Sequence, residues 1–164
     1  MTEMKVMDRD CLLRELDPIE DLEEAADLFD KAFSREPWND DWHDRSLLLT
    51  YLRELLDENN ALAYGLFREE RLIGLCLGRK VHFYQGIQFR IDEICIDPSL
   101  QGKGYGSLLL SKVEKACRKE GISYLLLVTE RDYPAYSFYR KNGFDPLEKS
   151  VTLCKKIKDE EESA

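Results

Sequence analysis

The feature that most constrains this chain is a short run in which an apolar strand passes through a glycine-rich turn directly into a helix. Glycines let the backbone N–H groups of such a turn come close to a ligand, and the helix start adds unpaired N–H groups and a positive dipole end. The sequence therefore predicts an anion site, most often a phosphate site, between a strand and a helix. The run is Ile94-Cys95-Ile96-Asp97-Pro98-Ser99-Leu100-Gln101-Gly102-Lys103-Gly104-Tyr105-Gly106-Ser107.

The spacing of the glycines excludes two common nucleotide loops. A triphosphate loop needs G-x-x-x-x-G-K-[ST], but Lys103 precedes Gly104 here and the upstream glycine is missing. A dinucleotide loop needs G-x-G-x-x-G, but the sixth position is Ser107. The pattern that fits is Q/R-x-x-G-x-G/A, filled by Gln101, Gly104 and Gly106.

A second pattern lies downstream, in Ala135-Tyr136-Ser137-Phe138-Tyr139-Arg140-Lys141-Asn142-Gly143-Phe144. With both motifs, the chain resembles the GNAT superfamily of acyl-CoA-dependent N-acetyltransferases, most clearly from Leu62 to Phe144. The resemblance implies acetyl-CoA as co-substrate, with no metal. It also implies the α/β (α+β) GNAT fold, a mixed, mostly antiparallel sheet of six to seven strands flanked by about four helices. The strand before the glycine loop and the next parallel strand should splay apart.

Hydrophobic periodicity and turn signals predict one domain over residues 1–164, with 158–164 as a frayed tail. Asp17 followed by Pro18 and Glu20 is typical of a helix start. The predicted elements, in chain order, are a strand Cys11–Leu16, helices Pro18–Ser34 and Asp41–Asp57, antiparallel strands Ala61–Arg68, Arg71–Val81 and Gln88–Ile96, a helix Gly104–Lys119, a strand Tyr124–Val128 buried on both faces, a helix Pro134–Asn142, and one or two strands over Phe144–Lys156.

Net charge, apolar runs and cysteine spacing limit the partners and the cellular location that we expect for this chain. The net charge of −9 makes nucleic acid a poor partner, and no apolar run approaches the roughly 20 residues of a membrane span. The N-terminus lacks the apolar region of a secretory signal. The five cysteines are odd in number, scattered and without a C-x-x-C pair, which indicates reduced thiols of a cytoplasmic protein and no structural zinc.

The resemblance implies two sets of cofactor contacts. Backbone N–H groups of the loop should hold the pyrophosphate, and an N–H of the preceding strand should polarise the thioester carbonyl, like an oxyanion hole. Lys103 either adds charge at the rim or is a solvated loop lysine. Asp132 stands where many relatives carry an asparagine that bonds the pantetheine or the helix start, and an aspartate there is a good N-cap. The predicted cofactor residues are Ile94, Cys95, Ile96, Gln101, Gly102, Lys103, Gly104, Tyr105, Gly106, Ser107, Asp132, Tyr136 and Tyr139.

Three residues are the candidates for proton transfer. The second motif points to Tyr139 as the acid that protonates the leaving thiolate, with Tyr136, one turn earlier, as the fallback. Asp92 and Glu93 lie on the strand that enters the splay, and either could be the base, with Glu93 favoured. Consecutive strand residues face opposite ways, so one of the two should face the cleft unless a bulge intervenes. Both could instead be surface carboxylates.

The sequence indicates the acetyl acceptor less directly than the cofactor. Trp38 and Trp42 lie among carboxylates near residue 40, where their rings could contact a cation or could simply be core. Together with Glu93 they predict a small cationic amine acceptor, attacked directly in a ternary complex. A protein N-terminus or lysine as acceptor, and a non-catalytic acyl-CoA sensor module, stay open. A homodimer is plausible for the family, although no residue points to it.

Overall fold

The computed structural model describes residues 10–157, and its framework is one sheet of five strands in the order β1-β2-β3-β4-β5. The first four strands form antiparallel neighbours, and β5 pairs with β4 in parallel. This confirms the predicted meander and the predicted crossover through a helix. The strands are β1 Cys11–Glu15, β2 Ala61–Arg68, β3 Arg71–Phe83, β4 Gly86–Ile96 and β5 Ile122–Leu126.

Three α-helices lie between strands, and a fourth follows β5 in the described part of the chain: α1 Leu22–Phe33, α2 Arg45–Leu56, α3 Tyr105–Lys119 and α4 Pro134–Lys141. The first helix begins four residues later than predicted. Asp17 caps a turn by accepting the N–H groups of Ile19 and Glu20. The helix follows only after Asp21. Asp44 caps α2 through Ser46 and Leu47, so the acidic residues before Asp44 stay in the connection.

The sheet has a core on each face. Helices α1 and α2 pack on one face around Phe29, Leu52 and Leu75. Helix α3 covers the other face around Leu109, Val113 and Phe89. No helix within residues 10–157 is both long and apolar enough to cross a membrane.

The six- to seven-stranded sheet is not seen, because residues 144–157 contain no strand. The alternating apolar residues that suggested one there are exposed: Val151 is 78% and Leu153 89% accessible. Strand β5 is therefore an edge strand, and the prediction that it is buried on both faces is wrong, since Tyr124 is 49% exposed. A continuous apolar run does not by itself mean that both faces of a strand are covered. The predicted tail, residues 158–164, lies outside the described residues.

The parallel pair β4–β5 splays apart. Pairing runs from Ile87 opposite Ile122 to Arg90 opposite Leu126 and stops there. Strand β4 continues for six residues to Ile96 without β5. The predicted splay is thus present, and the cleft it opens is lined by backbone groups of β4 that no neighbouring strand uses.

Candidate active site

A bulge interrupts β4 at the entrance to the splay. Leu77 of β3 pairs with Glu93, but the next residue, Gly78, pairs with Ile91. Asp92 is therefore the extra residue of β4, as in a β-bulge. The backbones approach closely at this point: a Cβ on Gly78 would lie 2.1 Å from the carbonyl oxygen of Arg90.

The bulge decides which face Glu93 occupies. Ile91, before the bulge, belongs to the core under α3, whereas Cys95, after it, belongs to the core under α1 and α2. Because side chains alternate along a strand, Glu93 shares the face of Cys95. Without the bulge, Glu93 would share the face of Ile91. The sequence alone favoured Glu93 over Asp92 only weakly, and here both line the cleft.

The splay contains a cavity of about 180 Å³. It lies between the open end of β4, the segment after β5, the end of α1 and the start of α4. Five of the predicted site residues outside the loop line it: Trp38, Asp92, Glu93, Ile94 and Tyr139. The other lining residues are Phe33, Ile91, Leu127, Val128, Thr129, Glu130, Tyr133 and Ala135.

Glu93 is poised to exchange a proton near neutrality. Burial raises the pKa of Glu93 to about 7, with smaller contributions from the nearby charges of Asp40 and Asp92. A hydrogen bond of 2.5 Å from the Tyr51 hydroxyl to Glu93 Oε1 opposes this rise. A carboxyl with a pKa near the working pH suits general base chemistry.

Tyr139 is buried at the same cavity, with 9% of its surface exposed. Its ring packs edge-on against Phe144 at 5.6 Å and is tilted against Phe138 at 5.3 Å. Burial raises the pKa of Tyr139 above that of a free phenol, so the hydroxyl keeps its proton at neutral pH. The fallback residue Tyr136 does not line the cavity and lies beside the Arg131 guanidinium instead.

The two tryptophans occupy different places. Trp38 lines the cavity and contacts Tyr133 edge-on at 6.2 Å. Trp42 stacks on the ring of Tyr51 at 5.3 Å and meets Phe29 edge-on, away from the cavity lining. The structure thus brings Trp38, but not Trp42, to the cleft, and gives Trp42 contact with Tyr51, the residue that hydrogen-bonds Glu93.

The glycine loop presents a helix start with free donors. Gly102 and Gly104 have φ angles of 73° and 90°, which other residues rarely adopt. The first bond of α3 runs from the Leu108 N–H to Gly104. The N–H groups of Tyr105, Gly106 and Ser107 come before this bond and therefore have no acceptor within the helix. A Cβ on Gly102 would meet no atom within 4 Å, so the space beside this glycine is open.

The loop side chains have different roles. Lys103 donates to the carbonyl of Ser99 at 2.9 Å but stays exposed at the rim. Gln101 donates to the carbonyl of Ile96 at 3.2 Å. Tyr105 is buried and its hydroxyl accepts a bond from Arg68. Only its backbone is therefore available to a ligand.

Backbone direction narrows the predicted carbonyl donor. The Asp97 N–H donates to Ile73 of β3 at 2.8 Å. N–H groups alternate sides along a strand, so the N–H of Cys95 also points to β3. The N–H groups of Ile94 and Ile96 therefore point to the open side of β4, toward the splay. The Cys95 thiol is buried, which raises its pKa and leaves it protonated.

Asp97 anchors the start of the loop. It is 1% exposed and accepts hydrogen bonds from Lys31 Nζ at 2.9 Å, from an Arg71 guanidinium nitrogen at 2.5 Å, and from the Ser99 N–H and hydroxyl. Burial alone would raise the pKa of Asp97, but the bonds from Lys31 and Ser99 lower it to about 2. The loop is thus tied to α1 and β3 through a permanently charged carboxylate.

Asp132 does not cap α4 as predicted. The residue before the first helical position, Pro134, is Tyr133, so Asp132 lies one position too early. Its side chain is exposed, and no side-chain cap bond is present at this helix start. The prediction that it contacts the cofactor stays a prediction.

Sequence reasoning missed two residues of the site. Tyr51 falls within the predicted helix Asp41–Asp57, where it lies near Leu48, Leu52 and Leu55, and the sequence assigns it no role. Asp97 belongs to the run that leads into the glycine loop and likewise has no predicted role. The available signal for Tyr51 was a single hydroxyl in an apolar stripe, since a buried hydroxyl needs a partner. Within residues 10–157, no cluster of three or more His, Cys, Asp or Glu side chains could hold a metal ion.

The sheet order, the splay and the glycine loop define the GNAT fold. The chain belongs to the acetyltransferase (GNAT) family, whose model matches residues 22–144. This confirms the resemblance that the two motifs indicated.

Individual relatives agree with that assignment. The chain is 28% identical over 155 residues to a mycothiol acetyltransferase of Rhodococcus jostii, covering 92% of this chain and 50% of that protein. It is 38% identical over 82 residues to the uncharacterized protein YxbD of Bacillus subtilis, covering 49% of this chain and 48% of YxbD. The chain thus spans about half the length of these two relatives.

Solved structures share the fold. One is the aminoglycoside acetyltransferase meta-AAC0020 from an uncultured soil metagenomic sample, in complex with sisomicin. It superposes with a TM-score of 0.71 at 18% identity, over 93% of this chain and 99% of that one.

Proposed function

We propose that this chain transfers the acetyl group of acetyl-CoA to the primary amine of a small cationic acceptor, by direct attack in a ternary complex. The observation that carries the proposal is that Glu93 and Tyr139 line one cavity in the splay and that Glu93 lies on β4, the strand that leads into the glycine loop. The aminoglycoside acetyltransferase complex with sisomicin, a structural neighbour, supports an acceptor of this kind.

The loop fits the pyrophosphate of the donor. Free N–H groups at the start of α3 and the open space beside Gly102 suit phosphate oxygens. The N–H groups of Ile94 and Ile96 stabilise the charge that develops on the thioester carbonyl oxygen, as backbone donors do in an oxyanion hole. The co-substrate supplies the activated acetyl group.

Glu93 and Tyr139 move the protons. Glu93 accepts a proton from the acceptor ammonium, directly or through water, and so frees the nitrogen lone pair. The new C–N bond forms as the C–S bond breaks, and Tyr139 gives its proton to the thiolate. The second proton leaving the nitrogen restores the Tyr139 hydroxyl, and Glu93 releases its proton to water, so each turnover yields one proton.

The acceptor side of the cavity carries negative charge and aromatic surface. Asp92, Glu93 and Glu130 supply carboxylates, and Trp38 and Tyr133 supply rings. Carboxylates and ring faces together favour a cation.

We further propose that the protein is cytoplasmic, that residues 1–164 form a single domain and that the protein forms a homodimer. Neither nucleic acid nor a membrane is proposed as a partner.

The test is CoA release with acetyl-CoA and a panel of polyamines, aminoglycosides and peptides with free N-termini or lysines. Glu93→Gln and Tyr139→Phe are each expected to lower kcat/KM by about 10²-fold or more. Exposed residues of the same types provide the controls, Glu54→Gln on α2 and Tyr84→Phe at the β3–β4 hairpin, and these should keep wild-type rates.

The outcomes separate the candidate functions. Turnover confined to peptides would replace the small acceptor with a protein. Tight acetyl-CoA binding without turnover of any amine would favour a sensor module. Because binding to the folded state alone raises the melting temperature, no thermal shift with acetyl-CoA would contradict both the enzyme and the sensor.

A further inference from the structure

We propose that Tyr51 is a positioning residue, which holds the Glu93 carboxylate through its hydroxyl in the orientation and charge state required of the base. The inference rests on the proposed function, in which Glu93 removes the proton from the acceptor amine. It adds a residue that lies 42 positions away in sequence, on α2, and outside the cavity lining.

The ring of Tyr51 is fixed on two sides. Trp42 stacks on it at 5.3 Å with planes 20° apart, and Phe29 meets it edge-on at 6.0 Å. Aromatic contacts of these geometries restrict a ring to one place. The connection between α1 and α2 thus supports the tyrosine, and the tyrosine hydroxyl has a defined direction.

Glu93 receives one side-chain donor among the described residues, and that donor is the Tyr51 hydroxyl, 2.5 Å from Oε1. Burial raises the pKa of the Tyr51 phenol, so it remains a donor throughout the neutral range. A donor to one oxygen favours the carboxylate form and leaves the second oxygen available for substrate or water.

The other groups facing Glu93 do not take over this role. Asp40 and Asp92 are carboxylates and oppose its ionisation. Cys95 and Tyr139 have pKa values raised by burial and are neutral.

Two more charges lie further out. Glu130 lines the same cavity and adds another negative charge. The Arg79 guanidinium is engaged by Asp92 at 3.1 Å. Tyr51 is therefore the group that counteracts the burial of Glu93.

The decisive measurement is the protonation midpoint of Glu93, followed by carbon NMR of its labelled carboxyl in the substrate-free protein. Tyr51→Phe should raise the midpoint by about one unit, because the stabilising donor is lost. In turnover, kcat/KM should fall about tenfold below the midpoint and recover to within about twofold of wild type at pH 9. A purely structural defect would lower the rate equally at all pH values.

Tyr64→Phe is the matched control. Tyr64 is also buried, at 3% exposure, but its hydroxyl has no hydrogen-bond partner among the described residues and it lies in the core under α3. Its removal should leave the Glu93 midpoint unchanged. A second probe keeps the ring: 3-fluorotyrosine at position 51 is a more acidic donor and should move the midpoint down.

An unchanged Glu93 midpoint in folded Tyr51→Phe would overturn the proposal, as would equal shifts in the Tyr51 and Tyr64 variants. If Tyr51→Phe does not fold, the fluorinated protein decides, since an unchanged or higher midpoint there contradicts the role. Absence of turnover in the wild type would contradict the proposed function alone, because the NMR titration needs no substrate.

Discussion

Two carboxylates lie four residues apart, Glu93 half-buried within β4 and Asp97 buried directly after this strand, and their surroundings are opposite. Asp97 receives donors from Lys31, Arg71 and Ser99, and its pKa falls to about 2. Glu93 receives one neutral donor, and its pKa rises to about 7. Burial raises the pKa of both carboxyls, but the donors at Asp97 outweigh it and the single neutral donor at Glu93 does not, so one carboxylate remains a fixed charge and the other exchanges a proton.

The two carboxylates also differ in role, since Asp97 anchors the glycine loop and Glu93 is the proposed base. The Asp97 region ties the glycine loop to α1 and β3 and needs a charge that does not vary with pH. The Glu93 region needs a group that gains and loses a proton during each turnover. The bulge at Asp92 turns Glu93 toward the face of α1 and α2, and the end of β4 places Asp97 beside Lys31 and Arg71.

The largest effect is expected from Asp97→Asn. The lost charge leaves Lys31 and Arg71 without their shared partner, and we expect about 2–3 kcal/mol less free energy of unfolding at pH 7, measured in urea. Because the folded-state pKa of Asp97 is depressed, its contribution is complete above the unfolded value near 3.8. It is lost as the pH falls toward 2. The wild type and the variant should therefore converge in acid.

Asp41→Asn is the control for this comparison, since Asp41 is 80% exposed. It should change the free energy of unfolding by no more than about 0.5 kcal/mol. An Asp97→Asn protein as stable as this control would show that the network does not anchor the loop.

Glu93→Gln should show the opposite dependence on pH. Because the folded-state pKa of Glu93 is raised, the wild type loses stability as the pH rises from about 4.5 to about 7, and the loss is complete above that range. Glutamine does not ionise, so the variant should gain about 2 kcal/mol relative to wild type between pH 5 and pH 8. Urea unfolding at the two pH values checks this, and parallel curves would contradict it.

The smallest effect is expected from Arg79→Met. Arg79 bonds both oxygens of Asp92, and its loss leaves that charge less compensated beside Glu93. The protonation midpoint of Glu93 should rise by about 0.3–0.5 units, measured by carbon NMR. Arg118→Met on α3, where the arginine pairs with Glu114, should leave the midpoint unchanged.

Much of the framework was predictable, because it is local. Alternating apolar residues and short turns placed the three meander strands close to their observed bounds. Glycine spacing placed the loop and the start of α3 within one residue. The prediction was wrong where an alternating apolar pattern pairs with no neighbouring strand. The apolar alternation after residue 144 forms no strand, and its apolar side chains stay exposed.

The site was predictable only in part. Glu93 was predicted from its place on the strand that enters the splay and Tyr139 from the second motif, and both line the cavity. The partners that determine their chemistry come from distant elements: Tyr51 lies 42 residues from Glu93, and Lys31 lies 66 residues from Asp97. Helical periodicity indicates which face is buried but not which distant group a hydroxyl or an ammonium will meet.

Gly78 has a consequence for protein engineering. Its Cβ position is occupied by the carbonyl oxygen of Arg90, so the tight crossing of β3 and β4 accepts no side chain there. The side to which Glu93 points thus depends on Gly78 of the neighbouring strand β3, because only a residue without a Cβ fits at the bulge. A designer who grafts this carboxylate onto another sheet must transplant the glycine with it, or the acid will emerge on the wrong side.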